Sequence, residues 1–252
     1  MTMPTPVAQM TDHDDRLASA ALGARVKVCG ITETSEIDLL ANQQVDFAGL
    51  WYGVPGGPAD LPLDAWRRLG AAATATGRLA PVMVTFLKDV DAVREALAES
   101  QVHWVQLHGY QTPGFVRAVK GIAPEVRVIK VLHVRGDACI EDRLIGAYEK
   151  AGVDVFLFDA VSEDGRVGST GQTLNPEVVA SLADGLTRPF LLAGGISAEN
   201  RTKFSALATH SRYLGIDVDT NARGPDGKVS AENVAAICQA WKEPLAEGGQ
   251  HA

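Results

Sequence analysis

The chain has 252 residues, of which 46% are hydrophobic and 21% are charged, and its formal net charge is −8. The length suits one (β/α)₈ barrel of roughly 250 residues, and the acidic balance disfavours nucleic acid or an anionic membrane as the main partner. No apolar run approaches the about 20 residues that a bilayer-spanning helix needs. The three cysteines (Cys29, Cys139 and Cys238) form no CxxC motif, which predicts neither disulfides nor a metal site and favours a reducing, cytoplasmic location.

Composition divides the chain into three segments. Residues 1–24 are aperiodic at first and acidic around Asp14, and they lack the apolar core of a secretory signal. We predict that 1–24 form an N-terminal extension, that 25–242 form the folded domain, and that 243–252 form a frayed tail.

From Arg25 onward, short apolar runs alternate with helical patterns. Eight runs predict strands: Arg25–Val28, Asp46–Trp51, Leu79–Phe86, Val102–Leu107, Val126–Leu132, Asp154–Phe158, Phe190–Ala193 and Arg212–Val218. Helices are predicted over Glu33–Gln43, Pro62–Thr76, Asp89–Glu99, Pro113–Lys120, Asp137–Ala151, Pro176–Ala183, Ala198–Leu207 and Ala231–Trp241. Eight strand–helix units predict an α/β fold, a single (β/α)₈ barrel. The alternative, an open doubly wound sheet, would normally carry a glycine-rich dinucleotide loop after its first strand, and this chain has none there.

Polar residues follow several of these apolar strands. Cys29 comes directly after the first strand, and Asp159 ends the sixth predicted strand. In a barrel both face the carboxyl-terminal mouth, where a thiol and a carboxylic acid suit acid–base chemistry. The alternatives stay open at this point, because free Cys is often a small buried core residue and Asp is often a helix cap.

Three further strand ends carry candidate binding residues. Gly194 and Gly195 join the seventh predicted strand to a helix, which suits phosphate binding through backbone N–H groups, although an ordinary glycine-rich turn also fits. His108 ends the fourth strand, where it is either a wall residue or a ligand for substrate. Gly171 lies in a long loop after the sixth strand, and such loops are often lids.

These motifs together resemble the phosphoribosylanthranilate isomerase family over about Arg25–Trp241. The matching segments are Lys27-Val28-Cys29-Gly30-Ile31-Thr32, Val105-Gln106-Leu107-His108-Gly109 and Leu191-Leu192-Ala193-Gly194-Gly195-Ile196 with Glu199-Asn200. The resemblance implies an Amadori rearrangement without a cofactor or metal, on a small phosphorylated sugar amine. It makes Cys29 the general base and Asp159 the general acid, with Gly194 and Gly195 at the phosphate.

Two loops depart from the family pattern. After the second strand the family carries a Ser-Pro-Arg-type segment, whereas residues 51–60 contain no basic residue. After the eighth strand the family has Asp-Val-Ser-Ser-Gly-Val-Glu, and this chain has Asp217-Val218-Asp219-Thr220-Asn221-Ala222-Arg223. Asp219 places a negative charge near the expected phosphate, and Arg223 is the cation that offsets it or a new ligand for an anion. We predict that substrate or its phosphate is bound by Asp217, Thr220, Arg223, His108 and Gly171, in addition to the two glycines.

Three functions follow in order of preference. The first is phosphoribosylanthranilate isomerase of tryptophan biosynthesis. The second is a paralogue that uses the same Cys29 and Asp159 on another sugar amine or sugar phosphate, because specificity resides in the altered loops. The third is a non-catalytic binding protein on a retained barrel. The sequence alone predicts no oligomeric state.

Overall fold

Eight parallel strands form a closed ring in the computed structural model, which describes residues 16–20, 23–161 and 173–243. The strands are β1 (Arg25–Val28), β2 (Phe47–Trp51), β3 (Ala80–Thr85), β4 (Trp104–Leu107), β5 (Arg127–Arg135), β6 (Ala138–Cys139), β7 (Val155–Ala160), β8 (Phe190–Leu192) and β9 (Tyr213–Val218). β1 pairs with both β2 and β9, and β4 pairs with β5, so the ring closes. The two-residue β6 lies outside the ring as an antiparallel partner of β5. The predicted (β/α)₈ barrel is therefore confirmed, and the open sheet is excluded.

Helices cover the outside of the ring. They are α1 (Thr34–Asn42), α2 (Leu63–Ala75), α3 (Val90–Leu97), α4 (Pro113–Ile122), α5 (Ile145–Ala151), α6 (Pro176–Gly185), α7 (Ser205–Ala208) and α8 (Ala231–Lys242). Short 3₁₀ turns occupy Asp142–Leu144, Arg201–Phe204 and Thr220–Ala222. None of the helices in the described part of the chain is long and apolar enough to cross a membrane. Most of the predicted extension and the tail lie outside the described residues, and the three-segment division stays a prediction.

Two apolar layers hold the barrel together. Alternate residues of the strands point outward against the helices, and the others fill the inside of the ring. The inner layer includes Phe47, Trp104 and Leu157, and Phe47 and Trp104 meet edge-to-face with 5.0 Å between ring centroids. Cys29 belongs to this inner layer. The period of two therefore aims Lys27 and Cys29 into the barrel, while Val26 and Val28 face the helices.

Two predicted helices are wrong over part of their length. Residues 137–151 were expected to form one helix, but β5 runs on to Arg135 and turns back as β6. Gly136 makes this turn with a φ of +57°, a conformation that glycine adopts without steric cost. The helix begins only at Ile145. The predicted helix over residues 198–207 is likewise reduced to a 3₁₀ turn and the four-residue α7.

Candidate active site

Cys29 continues the line of β1 at the carboxyl-terminal mouth of the barrel. Its backbone N–H donates to the carbonyl of Val218 at 2.7 Å, which fixes the residue against β9. Its side chain is 6% exposed. The sulfur accepts two hydrogen bonds, from Lys27 Nζ at 3.3 Å and from Trp51 Nε1 at 3.1 Å. The thiol is therefore held in one orientation by donors on two neighbouring strands.

Lys27 lies below Cys29 inside the barrel and is fully buried. Its ammonium donates to Asp217 Oδ1 at 2.8 Å, and the two residues are register partners on β1 and β9. Burial works to lower the pKa of Lys27, but Asp217 and Cys29 facing it raise that pKa above its ordinary value, so the ammonium stays charged. Sequence reasoning missed Lys27. The signal was present, because a lysine two residues before Cys29 on a buried strand shares its face.

The environment of Cys29 sets its protonation state. Burial raises the pKa of the Cys29 thiol to about 12, with Asp217 and Asp219 adding to the rise and Lys27 and Trp51 opposing it. The thiol form therefore dominates at neutral pH in the unliganded protein. The burial that raises the pKa of Cys29 also keeps water away from the thiol.

This raised pKa predicts the pH dependence of alkylation. In a chain with Cys139 and Cys238 changed to Ser, the rate of Cys29 alkylation by iodoacetamide should rise about tenfold per pH unit from pH 8 to 10, because only the thiolate reacts. The rise should not level off in that range, since the pKa lies above it. Mass spectrometry at timed intervals gives the rates, and a plateau below pH 9 would contradict the assignment.

Asp159 lies near the carboxyl end of β7 and is 5% exposed. Its Oδ2 pairs with His108 Nε2 at 3.1 Å, and His108 Nδ1 pairs with Gln106 Nε2 at 3.0 Å. In this arrangement the Gln106 amide donates to Nδ1, so the proton of a neutral His108 resides on Nε2 and points at Asp159. His108 therefore orients Asp159. Gln106, which the sequence analysis did not select, fixes the imidazole from inside the barrel.

A second buried pair supports the loop that carries His108. His133 Nε2 contacts the carbonyl of His108 at 3.0 Å, and His133 Nδ1 contacts Glu141 Oε1 at 2.6 Å. Glu141 also accepts from the His133 backbone N–H at 2.9 Å. Lys130 donates to the carbonyl of Gly109 at 3.0 Å. Side chains from β5 and the loop after β6 thus hold the end of β4 in place.

Gly194 and Gly195 follow β8, as expected for a phosphate loop. Both have left-handed backbone, with φ of +68° and +71°. A Cβ atom on Gly194 would lie 2.7 Å from the backbone nitrogen of Ala160. Asn200 closes the loop, because its side chain donates to the Gly195 carbonyl at 2.8 Å and accepts from the Ser197 N–H at 3.0 Å. The loop is therefore tightly folded, and its binding of a phosphate stays a prediction.

We expect Gly194→Ala to lose more stability than Gly77→Ala. Both positions have nearly the same positive φ, +68° and +69°, but Gly77 has nothing within 4 Å of an added Cβ. The control thus measures left-handed strain alone, about 1–2 kcal/mol. Gly194→Ala adds the clash with Ala160, and urea unfolding should show the difference. Equal free energies of unfolding for the two variants would contradict the tight approach at Gly194.

Arg223 crosses from the loop after β9 to the loop after β1. Its Nε donates to Asp219 Oδ1 at 2.8 Å and its Nη1 to the Gly227 carbonyl at 3.0 Å. Its Nη2 donates to the carbonyls of Cys29 and Gly30 at 3.2 and 2.7 Å. All three guanidinium nitrogens are thus engaged by the protein, and Arg223 offsets the charge of Asp219. Its predicted contact with substrate stays a prediction.

Arg223→Met is expected to destabilise the protein by about 2 kcal/mol, because several charge-assisted hydrogen bonds disappear together. The matched control is Arg94→Met, which removes an arginine from an exposed ion pair with Asp91 and should cost less than about 0.5 kcal/mol. Chemical unfolding measures both changes. An Arg223→Met variant as stable as the control would contradict the clamp between the two loops.

The remaining predicted residues are distributed around the mouth. Asp217 lies beneath Cys29 with Lys27, and Thr220 begins the 3₁₀ turn after β9. An open cleft of about 210 Å³ lies beside that turn, lined by Ser197, Glu199, Thr220, Asn221 and Arg223 among others, and it includes neither Cys29 nor Asp159. Gly171 and its loop lie outside the described residues. Across residues 16–20, 23–161 and 173–243, no three His, Cys, Asp or Glu side chains are grouped to hold a metal ion.

The closed ring, with a buried thiol and a buried carboxyl group at its carboxyl-terminal mouth, places the chain in the class of (β/α)₈ barrels. Comparison with known proteins narrows this class. The family model described as N-(5'phosphoribosyl)anthranilate (PRA) isomerase matches residues 26–240. The chain belongs to the N-(5'-phosphoribosyl)anthranilate isomerase family.

Individual relatives agree with this placement. The chain is 29% identical over 223 residues to the N-(5'-phosphoribosyl)anthranilate isomerase of Azorhizobium caulinodans, covering 88% of this chain and 92% of that one. It is 30% identical to the enzyme of Natronomonas pharaonis, covering 86% and 97%. The solved phosphoribosyl anthranilate isomerase of Thermus thermophilus superposes with a TM-score of 0.70 at 25% identity, over 86% of this chain and 97% of that one.

Proposed function

We propose that this chain is an isomerase that converts N-(5'-phosphoribosyl)anthranilate into 1-(o-carboxyphenylamino)-1-deoxyribulose 5-phosphate, a step of tryptophan biosynthesis. The observation that carries the proposal is the pair Cys29 and Asp159, which lie at the mouth of one barrel with fixed partners. A solved phosphoribosyl anthranilate isomerase, with a TM-score of 0.68, was crystallised with the reduced form of that product. The substrate is thus a small phosphorylated sugar amine, and we propose the cytoplasm as the location.

The first chemical step falls to Asp159. The carboxylic acid gives its proton to the ribose ring oxygen while the bond between that oxygen and C1 breaks, and the anthranilate nitrogen supplies the electron pair. The result is an open-chain iminium ion and an Asp159 carboxylate. His108 keeps the carboxyl group aimed, because its Nε2 lies 3.1 Å from Asp159 Oδ2. Stabilisation of the new carboxylate by this N–H favours proton donation.

The second step falls to Cys29. Its thiolate removes the proton from C2, and the electrons of that C–H bond neutralise the iminium ion and leave an enolamine. Movement of the C2 hydroxyl proton to C1 through the tautomeric equilibrium then gives the ketone. Asp159 has lost one proton and Cys29 has gained one, so exchange with solvent restores the pair. The phosphate group stays bound throughout, and Gly194, Gly195 and Thr220 are the residues that we propose for it.

The reactive pair holds one proton, on Asp159, and none on Cys29. Burial keeps Cys29 mainly in its thiol form, so groups that stabilise the Cys29 thiolate increase the population of this reactive form and hence the rate.

Growth of a bacterial strain that lacks this isomerase tests the proposal. The wild-type chain should restore growth without tryptophan, whereas Asp159→Asn at the same soluble level should not. Absence of rescue by well-folded wild-type protein would contradict the anthranilate substrate. The same Cys29 and Asp159 would then serve another sugar amine, the alternative that the altered loops raised.

A further inference from the structure

Trp51 ends β2 with its indole ring at the mouth of the barrel, beside Cys29. Its Nε1 lies 3.1 Å from the Cys29 sulfur, and Lys27 Nζ lies 3.3 Å from the same atom. Indole N–H and ammonium groups can only donate, and a thiol sulfur is a weak acceptor. A thiolate accepts both bonds well, because hydrogen bonds to an ionised group are the stronger kind. These two donors thus favour the deprotonated form of the sulfur, against the burial that disfavours it.

The loop after β2 is built around the indole ring. A Cβ atom on Gly57 would lie 2.9 and 3.0 Å from Trp51 Cζ3 and Cε3, so the ring occupies the space of a side chain there. The Leu61 N–H donates to the Trp51 carbonyl at 3.0 Å, and Asp60 forms a parallel bridge with Trp51. Residues 51–60, which contain no basic residue, thus form a loop that folds over the Trp51 indole ring.

Gly49 on β2 leaves space for the Cys29 sulfur and the Lys27 ammonium. A Cβ atom there would lie 2.7 Å from the Cys29 sulfur and 3.0 Å from Lys27 Nζ. β2 thus contributes an open position beside the sulfur at Gly49 and, two residues further on the same face, a donor at Trp51. The Cys29 sulfur and the Lys27 ammonium thus occupy the space that a side chain at position 49 would fill.

We propose that Trp51 is a positioning residue for the isomerisation, whose indole N–H acts together with the Lys27 ammonium to stabilise the thiolate form of Cys29. The proposal rests on the function proposed above. Asp217 holds the Lys27 ammonium in place at 2.8 Å, while its negative charge disfavours the thiolate. Trp51 acts through Cys29, so its removal should lower the population of the reactive pair and leave substrate affinity little changed.

The test compares Trp51→Phe with Tyr52→Phe, both in the chain with Cys139 and Cys238 changed to Ser. Phenylalanine keeps an aromatic ring at position 51 but has no N–H. Tyr52 is the adjacent aromatic residue and packs on Trp66, 6.0 Å between ring centroids. Iodoacetamide alkylation of Cys29 at pH 8 to 10 reports the thiolate fraction without any substrate, and kcat and KM for phosphoribosylanthranilate are measured in parallel.

Trp51→Phe should lower the alkylation rate and kcat by a common factor of about tenfold, as expected for loss of one hydrogen bond to a charged group. KM should stay near the wild-type value, and Tyr52→Phe should change neither rate. Gly57→Ala is the second variant, because its methyl group would lie 2.8 Å from Val54 Cγ1 and 2.9 Å from Trp51 Cζ3 and would crowd the indole while the N–H remains, and it should lower both rates too. Circular dichroism and the melting temperature establish that each variant is folded.

Unchanged alkylation in folded Trp51→Phe would overturn the proposal. If kcat falls while alkylation stays unchanged, Trp51 belongs to substrate contact instead. If the wild type does not consume phosphoribosylanthranilate, the proposed function fails, and the alkylation comparison alone still decides whether Trp51 stabilises the thiolate.

Discussion

Replacing Cys29 with Ala should lower kcat/KM for phosphoribosylanthranilate by about a hundred- to ten-thousandfold, the range that a positioned general base contributes. The substitution removes the group after β1 that we propose takes the proton from C2. Cys29→Ser should be similarly inactive, because a hydroxyl group of similar size is far less readily deprotonated. Initial rates of fluorescence decay at several substrate concentrations give kcat/KM.

Two other cysteines provide matched controls for this loss. Cys139 lies in β6 outside the ring, and Cys238 lies on α8, both of them half-buried. Cys139→Ala and Cys238→Ala should keep the wild-type kcat/KM. A folded Cys29→Ala variant with wild-type turnover would show that another group removes the C2 proton.

Replacing Asp159 with Asn should lower kcat/KM by a similar factor, about a hundred- to ten-thousandfold. The amide has nearly the same shape, and its oxygen can still accept the His108 Nε2–H, so the site keeps its geometry. It has no acidic proton for the ring oxygen, and ring opening stops. The same rate assay measures the effect, and the substrate concentration dependence separates kcat from KM.

Asp154→Asn is the control for Asp159→Asn. Asp154 precedes β7 at the opposite end of the barrel, where it pairs with Lys120 and Arg127 at 2.6 and 3.1 Å. Its substitution should reduce stability and leave kcat unchanged. Equal kcat values for Asp154→Asn and Asp159→Asn would show that Asp159 does not act in the reaction.

The barrel was predictable because its signals are local. Each of the eight strands is a short apolar run, and Asp89, Thr112 and Asn175, which are residue types that cap helices, accept hydrogen bonds from the first turns of α3, α4 and α6. The helix predicted over residues 137–151 was wrong at its beginning, because tertiary contacts decide the structure there. Glu141 is drawn to His133, and this contact outweighs the local helical pattern.

The site was predictable only in part, for a related reason. Cys29 and the two glycines follow strands and Asp159 lies near the end of one, and strand ends of a barrel meet at one mouth. The partners of Cys29 do not follow from spacing alone. Lys27 meets Asp217 across 190 positions of sequence, and Trp51 reaches the sulfur from 22 positions away. Closure of the ring creates these contacts, and the sequence contains no local pattern for them.

The most direct test of the account is the decay of phosphoribosylanthranilate fluorescence, with freshly generated substrate and folded wild type, Cys29→Ala and Asp159→Asn in parallel. We expect rapid decay of the fluorescence with the wild type and decay close to the uncatalysed rate with either variant. Wild-type decay in either variant would contradict the acid–base pair, and no decay with the wild type would contradict the substrate.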